Sequence, residues 1–281
     1  MGSPLVPGVT GPELGRCLVM GVVNVTPDSF SDGGVYATTR AAVARGLSRV
    51  ADGADLVDVG GESTRPGAAR VDVDAELARV VPVVTELAAA GVLVSVDTTR
   101  AAVASAALSA GAAVVNDVSG GLADPDLVRV VADSGAPYVV MHWRAPSDVM
   151  RDHAVYDDVV RDVCDELRQR VDAVVAAGVD VSRVVVDPGL GFAKVGEQNL
   201  MLLANLAELL DLGRPLLVGA SRKSFLGELL GGRPVSDRED ATQAVTTLAA
   251  LAGAWAVRVH EARPAADAVR TVAEIGARSR R

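Results

Sequence analysis

Eight short, mainly apolar runs recur along the 281-residue chain, and the segments between them carry apolar residues at helical spacing. The runs cover residues 18–23, 56–59, 93–96, 113–115, 138–141, 184–186, 216–219 and 256–259. Near-continuous aliphatic runs of this length are typical of parallel strands that are buried on both faces. The pattern therefore predicts eight parallel strands that alternate with helices.

The predicted helices cover residues 39–51, 73–90, 100–110, 125–133, 156–177, 197–212, 238–252 and 264–277. Six of them end just before a glycine, the residue that most easily takes the left-handed conformation that ends a helix. Eight repeats of strand and helix favour the α/β class and a single-domain (β/α)8 TIM barrel, which commonly needs about 250 residues. An open, doubly wound sheet of eight strands is the alternative at this stage.

The domain organisation follows from the lack of any internal boundary. No linker, charge block or low-complexity run divides the chain, so residues 16–281 are predicted to form one barrel domain. Residues 1–15 lack the basic start and apolar core of a signal peptide, and we expect a flexible N-terminal tail.

Composition excludes several classes of partner. A net charge of −9 argues against binding to nucleic acid, which needs a basic surface. No apolar stretch approaches the roughly 20 residues of a membrane span, and we predict a soluble, cytoplasmic protein. The two cysteines have no metal-ligand spacing, and a disulfide is not expected in that compartment.

Nearly every apolar run ends on a residue that can bind or react. These residues are Asn24, Gly60 to Glu62, Asp97, Asn116, His142, Asp187, Ser221 to Lys223, and His260. In a barrel of parallel strands, all the carboxyl ends surround one mouth, where such enzymes keep their active sites. Two long loops rich in Gly, Pro and Ser, at residues 24–34 and 60–68, are predicted to close over that mouth.

The ends of the seventh and eighth strands predict an anion site, because this fold often binds phosphate there. The residues concerned are Ser221, Arg222, Lys223, Arg258 and His260. Hydroxyl, guanidinium and ammonium groups beside a helix start favour an anionic substrate, although solvated surface charges would explain the same pattern. Lysine occurs only twice in the chain, and both a functional reason for Lys223 and coding bias would explain this scarcity. The other copy, Lys194, has no assigned role and is expected to be solvated, as is His153.

Asp97, Asn116 and Asp187 are predicted to meet at the same mouth. Burying such groups is costly unless a ligand or neighbour pairs with them. A flat heterocycle with amino and ring N–H groups would pair with several at once. Each residue taken alone could instead cap a helix or start a turn.

Asn24 opens a loop that also contains Asp28 and Asp32. Oxygen ligands of this kind suit Mg²⁺, which usually completes its shell with phosphate and water. The prediction of a Mg²⁺ site at Asn24 depends on the predicted phosphate. The chain shows no ligand cluster for zinc or iron, no phosphate-binding P-loop and no nucleophile elbow.

Several long motifs give the chain a family resemblance. Residues 20–34, MGVVNVTPDSFSDGG, resemble the first signature of the dihydropteroate synthases, and residues 58–67, DVGGESTRPG, resemble the second. Further matching stretches follow in the family's order at residues 95–98, 115–121, 187–192 and 219–227. The arginine-rich composition is most similar to that of actinobacterial members.

The resemblance implies an activity, a transferase step of folate biosynthesis. Dihydropterin-CH₂-pyrophosphate and p-aminobenzoate give dihydropteroate and pyrophosphate, and members are commonly homodimers. The positions that match the family's substrate-binding residues on the pterin and pyrophosphate side are Thr64, Asp97, Asn116, Asp187, Lys223, Arg258 and His260. Those on the p-aminobenzoate side, where sulfonamides compete, are Arg65, Pro66, Phe192, Ser221 and Arg222. Asn24 matches the position that holds Mg²⁺.

A mechanism follows as a hypothesis. Pyrophosphate leaves first, in an SN1-like step, and the aryl amine then attacks the pterin methylene. The residues predicted to serve the chemistry are Asp97, Lys223, Asp28, Phe30 and Asp32.

Three other functions are compatible with parts of the pattern. A methyltransferase barrel that uses methyltetrahydrofolate has no need of the anion site, and a non-catalytic pterin-binding paralogue could have lost the loop signatures. An unrelated phosphate-binding barrel enzyme could use Lys223 as a Schiff-base lysine. We also expect a homodimer through residues 197–212 and 238–252, which are apolar enough for an interface.

Overall fold

The eight apolar runs form the strands of one parallel sheet in the computed structural model, which describes residues 15–26, 34–63 and 70–279. The strands are β1 (Leu18–Asn24), β2 (Leu56–Gly60), β3 (Val94–Asp97), β4 (Val114–Asp117), β5 (Tyr138–Met141), β6 (Val184–Asp187), β7 (Leu217–Val218) and β8 (Ala256–Val259). Ladder pairs join neighbouring strands from β6 back to β1 and on through β8 to β7. A single parallel bridge between Val186 and Leu216 joins β6 to β7 and closes the ring. The predicted TIM barrel is confirmed, and the open sheet is excluded.

The helices surround this barrel. They are α1 (Gly34–Ala51), α2 (Val73–Ala89), α3 (Ala101–Ser109), α4 (Pro125–Ser134), α5 (Val159–Ala176), α6 (Gly196–Ala204), α7 (Leu206–Leu210), α8 (Ser224–Leu229), α9 (Glu239–Ala252) and α10 (Ala262–Ser279). The glycines predicted to end helices all have positive φ, for example 98° at Gly53 and 94° at Gly253. No helix in the described part of the chain is long and apolar enough to cross a bilayer.

The segment 197–212 differs from its prediction as one continuous helix. It forms two helices that meet at Asn205, whose φ and ψ of −119° and 37° are not helical. The Asn205 side chain donates to the carbonyl oxygen of Met201 at 2.8 Å. Asparagine side chains compete in this way with the helical backbone ladder, and the helix breaks here for that reason.

The barrel interior positions the site through the two-residue period of its strands. Apolar side chains fill the interior, namely Leu18, Met20, Leu56, Val114, Val139, Val185, Leu217 and Ala256. Two residues further along, four of these strands carry polar groups on the same face: Asp58, Asn116, Asp187 and Arg258. Asp97 takes the matching position in β3. A ring of polar side chains therefore lies directly on top of an apolar floor.

Candidate active site at the barrel mouth

One pocket at the carboxyl ends of the strands gathers most of the predicted site residues that lie within the described ranges. Its lining consists of Asp97, Asn116, Val118, Met141, Asp187, Phe192, Gly219, Ser221, Lys223, Arg258 and His260. Val118 and Met141 were not singled out from the sequence. They lie two residues after the inward-facing Asn116 and Val139, and this period was the signal that could have identified them. Polar groups and apolar faces together suit a flat, hydrogen-bonding ring.

Arg258 lies at the centre of a buried ion-pair network. Its Nε donates to Asp58 Oδ2 at 2.6 Å, and its Nη2 donates to Asp97 Oδ2 at 2.7 Å. Burial alone would lower the pKa of Arg258, but the two carboxylates outweigh it and raise the pKa. The guanidinium charge is therefore held inside the pocket by two acids, and it is not part of an open anion cradle in this structure.

Asp58 is the member of this network that sequence reasoning missed as a site residue. It is fully buried, and its Oδ2 accepts from Arg258 and also from Asn116 Nδ2, the latter at 3.0 Å. Its Oδ1 has no hydrogen-bond partner within the described ranges. Because the amide nitrogen of Asn116 donates to Asp58, the amide oxygen points the other way and can accept a hydrogen bond from a ligand.

Asp97 is buried among other acids. Burial raises its pKa to about 7, Arg258 opposes the rise, and the charges of Asp58 and Glu76 add to it. A ligand that donates to Asp97 would favour the ionised form. Small changes in pH near neutrality therefore change the fraction of Asp97 that is ionised.

Asp187 and Lys223 form the second charged part of the pocket. Asp187 Oδ1 accepts the backbone N–H of Gly189 at 2.7 Å, and burial raises the pKa of this carboxyl against the opposing charge of Lys223. Lys223 Nζ donates to the carbonyl oxygen of Leu190 and lies 4.8 Å from the ring centroid of Phe192. Enclosure in the pocket lowers the pKa of Lys223 to about 8, although Asp187 opposes this. An ammonium over an aromatic face provides both a donor and a cation–π contact.

The predicted anion cluster divides into two groups. Ser221 Oγ accepts the backbone N–H of His260 at 3.1 Å and lies 3.0 Å from His260 Nδ1, so these two side chains are coupled at the rim. Arg222 has a left-handed φ of 59° and does not line the pocket. Its guanidinium pairs with Glu239 at 3.0 Å and Glu261 at 2.8 Å. The role assigned to Arg222 on the p-aminobenzoate side stays a prediction.

The two long loops are only partly within the described ranges. Asp28, Phe30, Asp32, Thr64, Arg65 and Pro66 lie outside the described residues. Asn24 ends β1 beside Gly60 and is half-buried. Glu62 accepts the backbone N–H of Val71 at 3.0 Å, and this bond joins the two described ends of the second loop.

Lys194 is not solvated, and that prediction is wrong. The side chain is buried, and Nζ has three acceptors, the carbonyl oxygens of Gly189 and Phe192 and the ring atom His142 Nδ1. Three acceptors offset part of the cost of removing an ammonium group from water, and the rest of that cost lowers the pKa of Lys194 to about 7. His153 is exposed, as expected.

Comparison with known proteins gives consistent matches. The family described as pterin binding enzyme matches residues 20–260. A dihydropteroate synthase of Mycobacterium leprae is 56% identical over 260 residues, which cover 90% of this chain and 92% of that protein. The structure of dihydropteroate synthase from Xanthomonas albilineans with 7,8-dihydropteroate is 44% identical, with a TM-score of 0.84, and the match covers 93% of this chain and 94% of that one.

A further solved structure is similar over almost the whole chain. The dihydropteroate synthase of Yersinia pestis with a sulfonamide drug complex is 41% identical, with a TM-score of 0.89, and the match covers 98% of both chains. The family match extends across the strands that build the pocket, from β1 to the residue after β8.

Proposed function

The chain belongs to the family of pterin-binding enzymes, and on this basis we propose that it is a dihydropteroate synthase of the actinobacterial type. It joins dihydropterin-CH₂-pyrophosphate to p-aminobenzoate and releases pyrophosphate. The observation that carries this proposal is the polar ring on the apolar floor, in which Asp97, Asn116 and Asp187 converge from three strands with Lys223. This ring offers several acceptors and one charged donor to a single flat heterocycle.

The electrostatics of the pocket suit a reaction in which positive charge develops on the substrate. When ionised, three buried carboxylates (Asp58, Asp97 and Asp187) face two cations (Arg258 and Lys223), a formal balance of −1. A net negative pocket disfavours pyrophosphate in its interior and favours a pterin methylene that carries positive charge. Preorganised charge of this kind stabilises a transition state without reorganisation.

The steps then follow in order. The bond between the methylene carbon and the bridging oxygen breaks, and both electrons leave with pyrophosphate toward the rim, where Ser221 and His260 lie. The aryl amine attacks the cationic methylene, a carbon–nitrogen bond forms, and the nitrogen loses a proton. No covalent enzyme intermediate is required. Water must be kept out, because it competes with the weakly nucleophilic amine.

We further propose that Mg²⁺ enters with pyrophosphate. Within the described ranges, no group of three or more His, Cys, Asp and Glu residues is placed to hold a metal. The carboxylates Asp58 and Asp97 are already paired with Arg258. Asn24 at the end of β1 therefore fits an ion that takes most of its ligands from phosphate and water. When bound, the ion would neutralise charge on the leaving group.

The homodimer and the cytoplasmic location are also proposals. Exposed apolar side chains lie on the predicted interface helices, with Leu248 and Leu251 of α9 at 52% and 64% exposure and Met201 of α6 at 42%. Sedimentation velocity at micromolar concentration tests the dimer, and a single monomer boundary would contradict it. Free, buried Cys17 and Cys164 are compatible with a reducing compartment.

The activity is tested by direct assay of the purified chain. Pterin pyrophosphate and p-aminobenzoate should give dihydropteroate and equimolar pyrophosphate in the presence of Mg²⁺, and a sulfonamide should compete with p-aminobenzoate. Deuterium at the pterin methylene should give a normal secondary isotope effect if pyrophosphate leaves first. Activity with methyltetrahydrofolate instead would establish the methyltransferase alternative. Pterin binding without turnover would establish the paralogue.

A further inference from the structure

The loop at residues 188–195, between β6 and α6, forms the wall of the pocket that carries Phe192. Three side chains hold its carbonyl groups, two from other parts of the chain and one, Lys194, from the loop itself. Lys223 donates to the oxygen of Leu190, and the Tyr156 hydroxyl donates to that of Ala193 at 3.0 Å. Lys194 donates to the oxygens of Gly189 and Phe192 at 3.1 and 3.0 Å. The position of the Phe192 ring thus depends on a small number of side-chain donors.

Lys194 is the donor that contacts Phe192 itself. Its Nζ also lies 2.9 Å from His142 Nδ1. An ammonium has three N–H groups, and here each has one acceptor. The buried lysine is therefore fully satisfied only when the two loop carbonyls are in the places seen here.

His142 fixes Lys194 from the other side. Burial lowers the pKa of His142 to about 4, so the ring is neutral at physiological pH. Because Nδ1 accepts from Lys194, Nε2 carries the proton and donates to Glu166 Oε2 at 2.9 Å. Glu166 also accepts from Arg144, whose guanidinium lies 3.8 Å above the Tyr156 ring. A continuous chain of contacts therefore runs from α5 to the loop.

The same histidine is linked to the pterin side of the pocket. Its backbone N–H donates to the carbonyl oxygen of Asp187 at 2.9 Å. The loop begins at that residue, and Asp187 in turn accepts from Gly189. The contacts among Lys194, His142 and the loop carbonyls thus set the position of the loop relative to Asp187, which the strand β6 holds in place.

We propose that Lys194 is a positioning residue for p-aminobenzoate, which holds the loop at residues 188–195 so that the Phe192 ring forms one wall of the amine site. This inference rests on the proposed function. Lys194 is not catalytic, because it contacts the loop and not the pocket. It acts on the second substrate more than on the pterin, whose acceptors lie on strands.

The test compares Lys194→Met, which removes the donors and keeps the length, with Lys194→Gln, which keeps two N–H groups. Losing hydrogen bonds from a charged donor should raise KM for p-aminobenzoate about tenfold to a hundredfold in Lys194→Met, with a smaller rise in Lys194→Gln. KM for pterin pyrophosphate should stay near the wild-type value. Tyr156→Phe is the matched control, because it removes a loop bond that does not reach Phe192 or Gly189, and its effect should be small.

A double-mutant cycle identifies the route of the effect. If Lys194 acts through Phe192, adding Lys194→Met to Phe192→Ala should worsen KM for p-aminobenzoate little beyond Phe192→Ala alone. Additive effects, or equal rises in both KM values in a folded variant, would overturn the proposal. If Lys194→Met fails to fold, the same cycle is run with Lys194→Gln. Wild-type turnover is measured first, so an inactive wild type counts against the proposed function and not against the role of Lys194.

Discussion

Lys223 is the lysine of the described pocket lining. Its ammonium group lies near Asp187 and over the Phe192 ring. We expect Lys223→Ala to lower kcat about a hundredfold or more, because a preorganised charged donor to the substrate is removed. The fold should survive, because the hydrogen bond that Nζ donates within the described ranges reaches a loop carbonyl. Turnover and melting temperature are measured together. Arg214→Ala, at the opposite end of the barrel, is the control, and wild-type kcat in Lys223→Ala would remove this residue from the mechanism.

We expect Asp97 to make the reaction depend on pH. Its pKa is raised to about 7, so the carboxyl is protonated below neutral pH and ionised above it. If the ionised form binds the pterin, kcat/KM for pterin pyrophosphate should fall as the pH falls below about 7. The acidic limb should disappear in Asp97→Asn, whose pterin affinity is lower at every pH. An acidic limb at the same pH in that variant would assign it to another group.

The scarcity of lysine makes both ammonium groups measurable. Only Lys194 and Lys223 occur in the chain, so lysine labelled with ¹³C at Cε gives two resonances, which one variant assigns. Burial lowers the pKa of Lys194 to about 7 and that of Lys223 to about 8, against an ordinary value of 10.5. Titration by NMR should show both transitions below pH 9. A transition near 10.5 for either signal would mean that the group is hydrated.

At the scale of elements, the loop after β6 depends on a glycine. Any side chain at this position would force the neighbouring backbone to shift. Gly189 has a φ of 66°, and a Cβ atom there would overlap the carbonyl oxygen of His142. Left-handed strain and overpacking together should make Gly189→Ala cost about 2–5 kcal/mol of unfolding free energy. Gly91→Ala is the matched control, since its φ is 78° and nothing lies near. That change should cost only about 1–2 kcal/mol. Equal midpoints in urea would contradict the expected clash.

Elements were predictable from sequence wherever the signal is local. Apolar runs located all eight strands, and the polar residue after each run faced the pocket in most of them. Asp58 was not predicted as a site residue because its partner Arg258 lies 200 residues away, and no local pattern relates the two. Lys194 was expected to be solvated because its acceptor His142 Nδ1 lies 52 residues away at the end of β5, and only the closed barrel brings the two together. Long-range pairing of buried charges is the part of the site that sequence alone could not give.

At the scale of the whole molecule, the barrel is not uniform around its circumference. Ladders of two to five residue pairs join the other strands, whereas one bridge, between Val186 and Leu216, joins β6 to β7. β7 itself has two residues. We expect amide hydrogens of β7 to exchange with solvent faster than those of β2 and β3 in the empty protein. Hydrogen–deuterium exchange by mass spectrometry measures this, and equal protection around the barrel would contradict it.

That junction lies directly under the pocket. Asp187 ends β6 and Lys223 follows β7, so a pterin that contacts both residues spans the gap between the two strands. Such a ligand would cross-link two strands that only one bridge joins. Its measured affinity then includes the free energy of ordering the junction between β6 and β7. Its binding should slow amide hydrogen exchange at β6 and β7 more than in the other strands. Pterin binding at both residues would therefore strengthen the barrel wall where β6 and β7 share a single bridge.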